Sequence, residues 1–88
     1  MIEKKIKIIN KLGLHARAAA KIVTVSSKFS SSIMLFNGSK NADAKSIMKI
    51  LMLAAPTGTE LKISANGNDE MKAINALCKL IKNKFDEE

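Results

Sequence analysis

Asn10-Lys11-Leu12-Gly13-Leu14-His15-Ala16-Arg17-Ala18-Ala19-Ala20 marks the place where one hydrophobic periodicity gives way to another. Upstream, Ile2, Ile6 and Ile8 alternate with Glu3, Lys5 and Lys7, the period-two pattern of a strand with one buried face, interrupted by Lys4 near its beginning. Asn10 to Gly13 turn the chain. Downstream, from Ala16 to about Ser27, the alanines with Ile22 and Val23 form one apolar helical face and leave Lys21, Thr24 and Lys28 off it. Leu14 is placed to pack onto Ala18 or Ala19 across the helix start, fixing the direction of the residue that follows it.

That residue, His15, is the only histidine of the chain. A lone histidine is usually a satisfied surface or core side chain, but the flanks here are specific. Gly13 permits an unusual turn, Ala16 keeps the approach to the backbone open, and Arg17 brings a guanidinium. An imidazole at a strand-to-helix junction faces the amide hydrogens of the first helical turn, which lack intrahelical acceptors and accommodate an anion. A neutral imidazole is a good nucleophile toward phosphorus, and Arg17 adds a second donor set for the same phosphoryl oxygens.

The rest of the chain alternates between the same two patterns. A serine cluster, Ser26 to Ser32, leads into a strand from Ile33 to Phe36, and Asn37-Gly38 signals a hairpin with a short polar return strand from Ser39 to Asp43. Ser46 is placed to cap a second helix, because Ile47, Met48, Ile50, Leu51, Met52 and Leu53 follow it before Ala54-Ala55-Pro56. About two helical turns cannot bury all six on one side, so some are expected on the surface. After a Pro56-Thr57-Gly58 turn, Leu61 and Ile63 alternate with Glu60, Lys62 and Ser64 in a last strand. Asn66 to Glu70 supply a turn, a cap and first-turn acids for the longest helix, with apolar positions Met71, Ile74, Leu77, Cys78, Ile81 and Phe85. Lys79, Lys82 and Lys84 complement its dipole. The order is βαββαβα, which predicts an α+β two-layer sandwich: a small antiparallel sheet with three helices on one face and the other face open.

Composition narrows the function classes. With 88 residues, one modest core and one domain spanning 1–88 are expected. The single cysteine rules out an internal disulfide framework and, lying in an apolar helical stripe, reads as a core side chain rather than a metal ligand. No cofactor or metal is expected. No stretch is apolar enough for a signal peptide or membrane span, which favours a cytoplasmic protein without membrane insertion. The net charge of +7 comes from fourteen scattered lysines and one arginine, a distribution typical of a solvated surface. A small basic nucleic-acid-binding module predicts clustered arginines and stacking rings, whereas only three aromatic residues occur, all phenylalanines in separate elements. No nucleic-acid partner is therefore expected.

The segment Asn10 to Ala19, together with Ala44-Lys45-Ser46-Ile47-Met48, resembles the HPr family, the histidine-containing phosphocarriers of the bacterial phosphoenolpyruvate-dependent phosphotransferase system. The resemblance covers essentially the whole chain and implies an HPr-like open-faced sandwich with four antiparallel strands. It further implies that Nδ1 of His15 takes a phosphoryl group from phosphorylated enzyme I and hands it to A domains of sugar permeases or regulators, with Arg17 orienting the phosphate. Ser46 would be a regulatory phosphorylation site wherever an HPr kinase/phosphorylase is present. The docking face would comprise Ala20, Thr24, Ile47, Met48, Leu51 and Met52, rimmed by Lys21, Lys28, Lys45 and Lys49. The protein would be a monomeric carrier, not an enzyme with turnover of its own. A paralogue serving the nitrogen-related branch fits the same residues, as does a binding partner that no longer carries phosphate. Two departures stand out: Ala18 where many members have proline, and Lys49 where many have glycine.

Overall fold

The computed structural model describes residues 1–86. The elements are β1 (Ile2–Lys7), α1 (Ala16–Ser26), β2 (Ser32–Asn37), β3 (Lys40–Asp43), α2 (Ile47–Leu51), β4 (Glu60–Asn66) and α3 (Glu70–Lys82), in the expected βαββαβα order. The strands form one fully antiparallel sheet in the order β1-β4-β2-β3, so the last strand inserts between the first two. The register sets Ile6 opposite Leu61, Ile63 opposite Leu35 and Leu35 opposite Ala42, which lines the inward rows of all four strands with aliphatic side chains. The helices cover this face with Ala18, Ala19 and Ile22 from α1, Ile50 from α2, and Ala73, Ile74, Leu77, Cys78 and Ile81 from α3, all buried.

The opposite face is open. There Lys5 pairs with Lys62 and Lys62 with Phe36 across neighbouring strands. The like charges are accommodated because the Lys62 ammonium lies 4.7 Å from the Phe36 ring centroid and 3.6 Å from the Glu3 carboxylate.

Four sequence expectations are corrected. The hairpin turns on Gly38-Ser39: Asn37 still pairs with Lys40, Gly38 takes φ +61°, and the return strand begins at Lys40. The Asn37 side chain instead donates to the Leu53 carbonyl at 2.8 Å, which ties the hairpin to the end of α2. α2 stops at Leu51, and Leu53 reaches the core from the turn that follows. In α3, Met71 faces solvent, and Phe85 is buried but not on the helical stripe. The helix ends at Lys82, and the chain reverses through Lys84, Phe85 and Asp86 with φ of 55°, 56° and 61°. Three successive non-glycine residues in the left-handed region carry a conformational cost, which burial of Phe85 and donation from the Lys21 ammonium to the Phe85 carbonyl offset.

The cap of α3 also departs from expectation. Asp69 occupies the N-cap position but makes no side-chain cap; its carboxylate accepts from the Ser30 and Ser31 amides, at 2.9 and 3.0 Å, and from the Ser31 hydroxyl. Glu70 takes over locally by accepting from the Gly67 amide at 3.1 Å. Asp69 thus joins the start of α3 to the loop after α1.

Candidate functional site

The loop between β1 and α1 is held at both ends. Ile8 donates to the Thr59 carbonyl at 2.8 Å and Leu14 to the Ala55 carbonyl at 2.9 Å, while the Thr57 hydroxyl donates to the carbonyls of Asn10 and Lys11. Asn10 is fully buried, and its side-chain amide donates to the Gly13 carbonyl at 2.8 Å. Gly13 lies at φ +67°, where a Cβ would sit 2.7 Å from the Ala55 carbonyl oxygen and 2.9 Å from Pro56 Cα. Only glycine lets the chain pass so close to that backbone.

From this loop His15 emerges as the N-cap residue of α1, with extended backbone angles φ −93° and ψ 179°. Its carbonyl accepts the first helical bond, from the Ala19 amide at 2.9 Å, but its ring is not used as a side-chain cap. The amides of Ala16, Arg17 and Ala18 therefore open toward the region in front of His15, since the helix supplies them no acceptor. Leu14 is buried beneath and anchors the backbone, as expected.

His15 is half-buried and, with Leu12, Arg17, Lys21 and Asp86, lines an open cleft of about 460 Å³. Among the described lining residues two cations face one carboxylate, a balance that favours an anion. Lys21 and Asp86 escaped sequence reasoning as cleft residues. Lys21 carries a helical-spacing signal, one turn beyond Arg17, but nothing local could reveal that the chain doubles back after α3 to bring Asp86 there. Among the described residues, no cluster of three or more histidine, cysteine or carboxylate side chains could hold a metal, and no helix is long and apolar enough to cross a membrane.

α2 packs against α1, the helix that His15 caps. Ser46 caps it as expected, its hydroxyl accepting from the Lys49 amide at 3.4 Å. Ile50 is buried, whereas Ile47, Met48, Lys49 and Met52 are exposed and Leu51 is half-buried against the core. From α1, Thr24 is exposed and Ala20 half-buried, with the Thr24 hydroxyl returned to the Ala20 carbonyl at 3.0 Å. Of the lysines expected at the rim, Lys45 donates to the Phe29 carbonyl at 2.9 Å and Lys21 to that of Phe85. Cys78 is buried in the core.

This fold has counterparts among known proteins. Residues 2–83 match the family described as PTS HPr component phosphorylation site. The phosphocarrier protein HPr of Xylella fastidiosa is 44% identical over 88 residues, covering 100% of this chain and 99% of that protein. The phosphocarrier protein NPr of Shewanella violacea is 41% identical over 86 residues, 98% of this chain and 94% of the relative. The crystal structure of HPr from Thermoanaerobacter tengcongensis superposes with a TM-score of 0.96 at 51% identity, covering 100% of this chain and 99% of that one. The chain belongs to the HPr family of phosphotransferase-system phosphocarriers.

Proposed function

We propose that this protein carries a phosphoryl group on His15, accepting it from phosphorylated enzyme I and delivering it to A domains of sugar permeases or regulators in the cytoplasm. The observation that carries the reading is the position of His15: at the N-cap of α1, with its ring not spent on capping, in an open cleft with Arg17 and Lys21. In the transfer step a ring nitrogen, Nδ1 by family resemblance, gives its lone pair to phosphorus. The bond from phosphorus to the donor's nitrogen breaks, and its electron pair returns to the donor ring. The first-turn amides and the Arg17 guanidinium then hold the phosphoryl oxygens, which stabilises the charge without committing it, so the reverse step onto an acceptor remains accessible. An open cleft suits such a carrier, because the second imidazole must approach in line. Ser46 serves as a regulatory phosphorylation site where a kinase is present, and the docking face is formed by Ala20, Thr24, Ile47, Met48, Lys49, Leu51 and Met52.

A second reading, phosphotransfer to regulators in the nitrogen-related branch, is favoured by the 41% identity to the Shewanella violacea NPr. The two share the chemistry and differ in the acceptor. Incubation with enzyme I and labelled phosphoenolpyruvate tests the common step: acid-labile label appears on the parent and is lost in His15→Ala. Label persisting in His15→Ala with the same lability overturns the assignment.

A further inference from the structure

Large apolar side chains are exposed mainly in two short segments. Ile9 and Leu12 lie in the loop before His15, and Ile47, Met48 and Met52 in and just after α2. α2 packs on α1, the helix that His15 caps, so its exposed apolar side chains present a patch of the kind that buries itself against a partner. Two of its members are methionines. Met48 is 71% exposed and Met52 67%, one helical turn apart, and the Met52 amide bonds to the Met48 carbonyl at 3.2 Å. The helix beneath them is fastened independently by buried Ile50 and Leu53 and by the Ser46 cap, so a change at either sulfur leaves the fold in place.

We infer that Met48 and Met52 form an oxidation-sensitive modification site, at which conversion to the sulfoxides weakens docking of phosphotransfer partners. This rests on the proposed carrier function. The oxidant is a peroxide or hypohalous acid. With a peroxide, the thioether sulfur donates an electron pair to the terminal oxygen, the S–O bond forms as O–O breaks, and the remaining oxygen leaves as water or an alcohol after proton transfer. The sulfur is oxidised by two electrons and the peroxide reduced by two. A flexible apolar side chain becomes a polar one that must be desolvated on docking, and two such groups in the patch raise the partner concentration needed for half-maximal transfer by about tenfold. Reduction by a methionine sulfoxide reductase, drawing on a dithiol that ends as a disulfide, restores the thioether. Met71, 58% exposed on the far helix α3, lies outside the patch and provides an internal control, and Cys78 is buried.

The test treats the whole protein with hydrogen peroxide, locates sulfoxides by peptide mass spectrometry, and follows transfer from phosphorylated enzyme I as protein concentration is varied. Each protein is compared with its own untreated sample. Treated parent and treated Met71→Leu should show the concentration shift with the maximal rate retained, treated Met48→Leu/Met52→Leu should show none, and sulfoxide reductase should reverse it. Sulfoxides at 48 and 52 without a shift, resistance of both residues while Met71 oxidises, or a shift that survives the double substitution overturns the inference and leaves the carrier reading intact. An untreated parent that takes no label overturns both.

Discussion

Asn10 and Gly13 close the loop beneath the histidine in both directions: the Asn10 side-chain amide donates to the Gly13 carbonyl at 2.8 Å, and the Gly13 amide donates to the Asn10 carbonyl at 3.2 Å. With Asn10 fully buried, this pair sets where His15 leaves the loop and enters α1. Removing the side-chain donor in Asn10→Ala leaves the Gly13 carbonyl with the His15 amide alone, at 3.0 Å, and the loss of one buried hydrogen bond costs about 1 kcal/mol. Urea unfolding should report that loss, and the maximal rate of phosphotransfer should fall because the ring is less firmly aimed.

Gly13 tolerates substitution less well than its neighbours. Alanine at φ +67° is strained on backbone grounds alone, and its Cβ would sit 2.7 Å from the carbonyl of Ala55, whose oxygen also accepts from Leu14. Gly13→Ala should destabilise by about 3 kcal/mol or more, since strain and backbone displacement add. Chemical denaturation measures this directly. A change below half that value would mean that the loop relaxes away from Ala55 and Pro56.

The reading of the fold from sequence succeeded where the determinants are local. Ile6, Leu61, Ile63 and Leu35 announce their strands by alternation, Ser46 its cap, and the Gly13 to Ala20 run the junction that displays His15. It failed where a side chain chose a distant partner over a near one. Asp69 left its own helix for Ser30 and Ser31, and Asn37 left the turn for Leu53. Asp86 entered the His15 cleft through a left-handed reversal that helical periodicity cannot foresee, and the same reversal buried Phe85 off the stripe it was read into. Ala18, noted as a departure from the family, proves to be a fully buried helix residue, so it contributes core packing as well as helix propensity.

Ser46 separates two effects that one substitution would confound. Its hydroxyl accepts from the Lys49 amide, so Ser46→Ala should cost about 1 kcal/mol of stability through the lost cap. Ser46→Asp keeps a capping oxygen and should stay near the parent in thermal unfolding. It nevertheless places a negative charge beside exposed Ile47 and Met48, and should slow transfer with acidic partners by about tenfold at limiting concentration. Transfer rates that follow stability across the two variants would contradict the docking face proposed for α2.

Asp69 should govern part of the acid sensitivity of the fold. The Ser31 hydroxyl, followed by the Ser30 amide and then the Ser31 amide, stabilises its carboxylate and holds the group at about 2 against an ordinary value of 3.8. The Glu70 carboxyl moves in the same direction, chiefly through the Gly67 amide and also through the amino terminus 3.3 Å away. A carboxyl whose folded value is depressed binds its proton more readily when unfolded, so its contribution is complete above about 4 and disappears as pH falls toward about 2. Unfolding midpoints measured through that window should decline in the parent and decline less steeply in Asp69→Asn, which keeps the Glu70 carboxyl but has no ionisable group at position 69. Asp69→Asn should also be less stable at neutral pH, because an amide cannot accept the same three donors equally well, and phosphotransfer at saturating partner should change little, since the junction lies at the other end of α1 from His15. Parallel pH profiles for parent and variant would show that the carboxylate is not the group whose protonation loosens the start of α3.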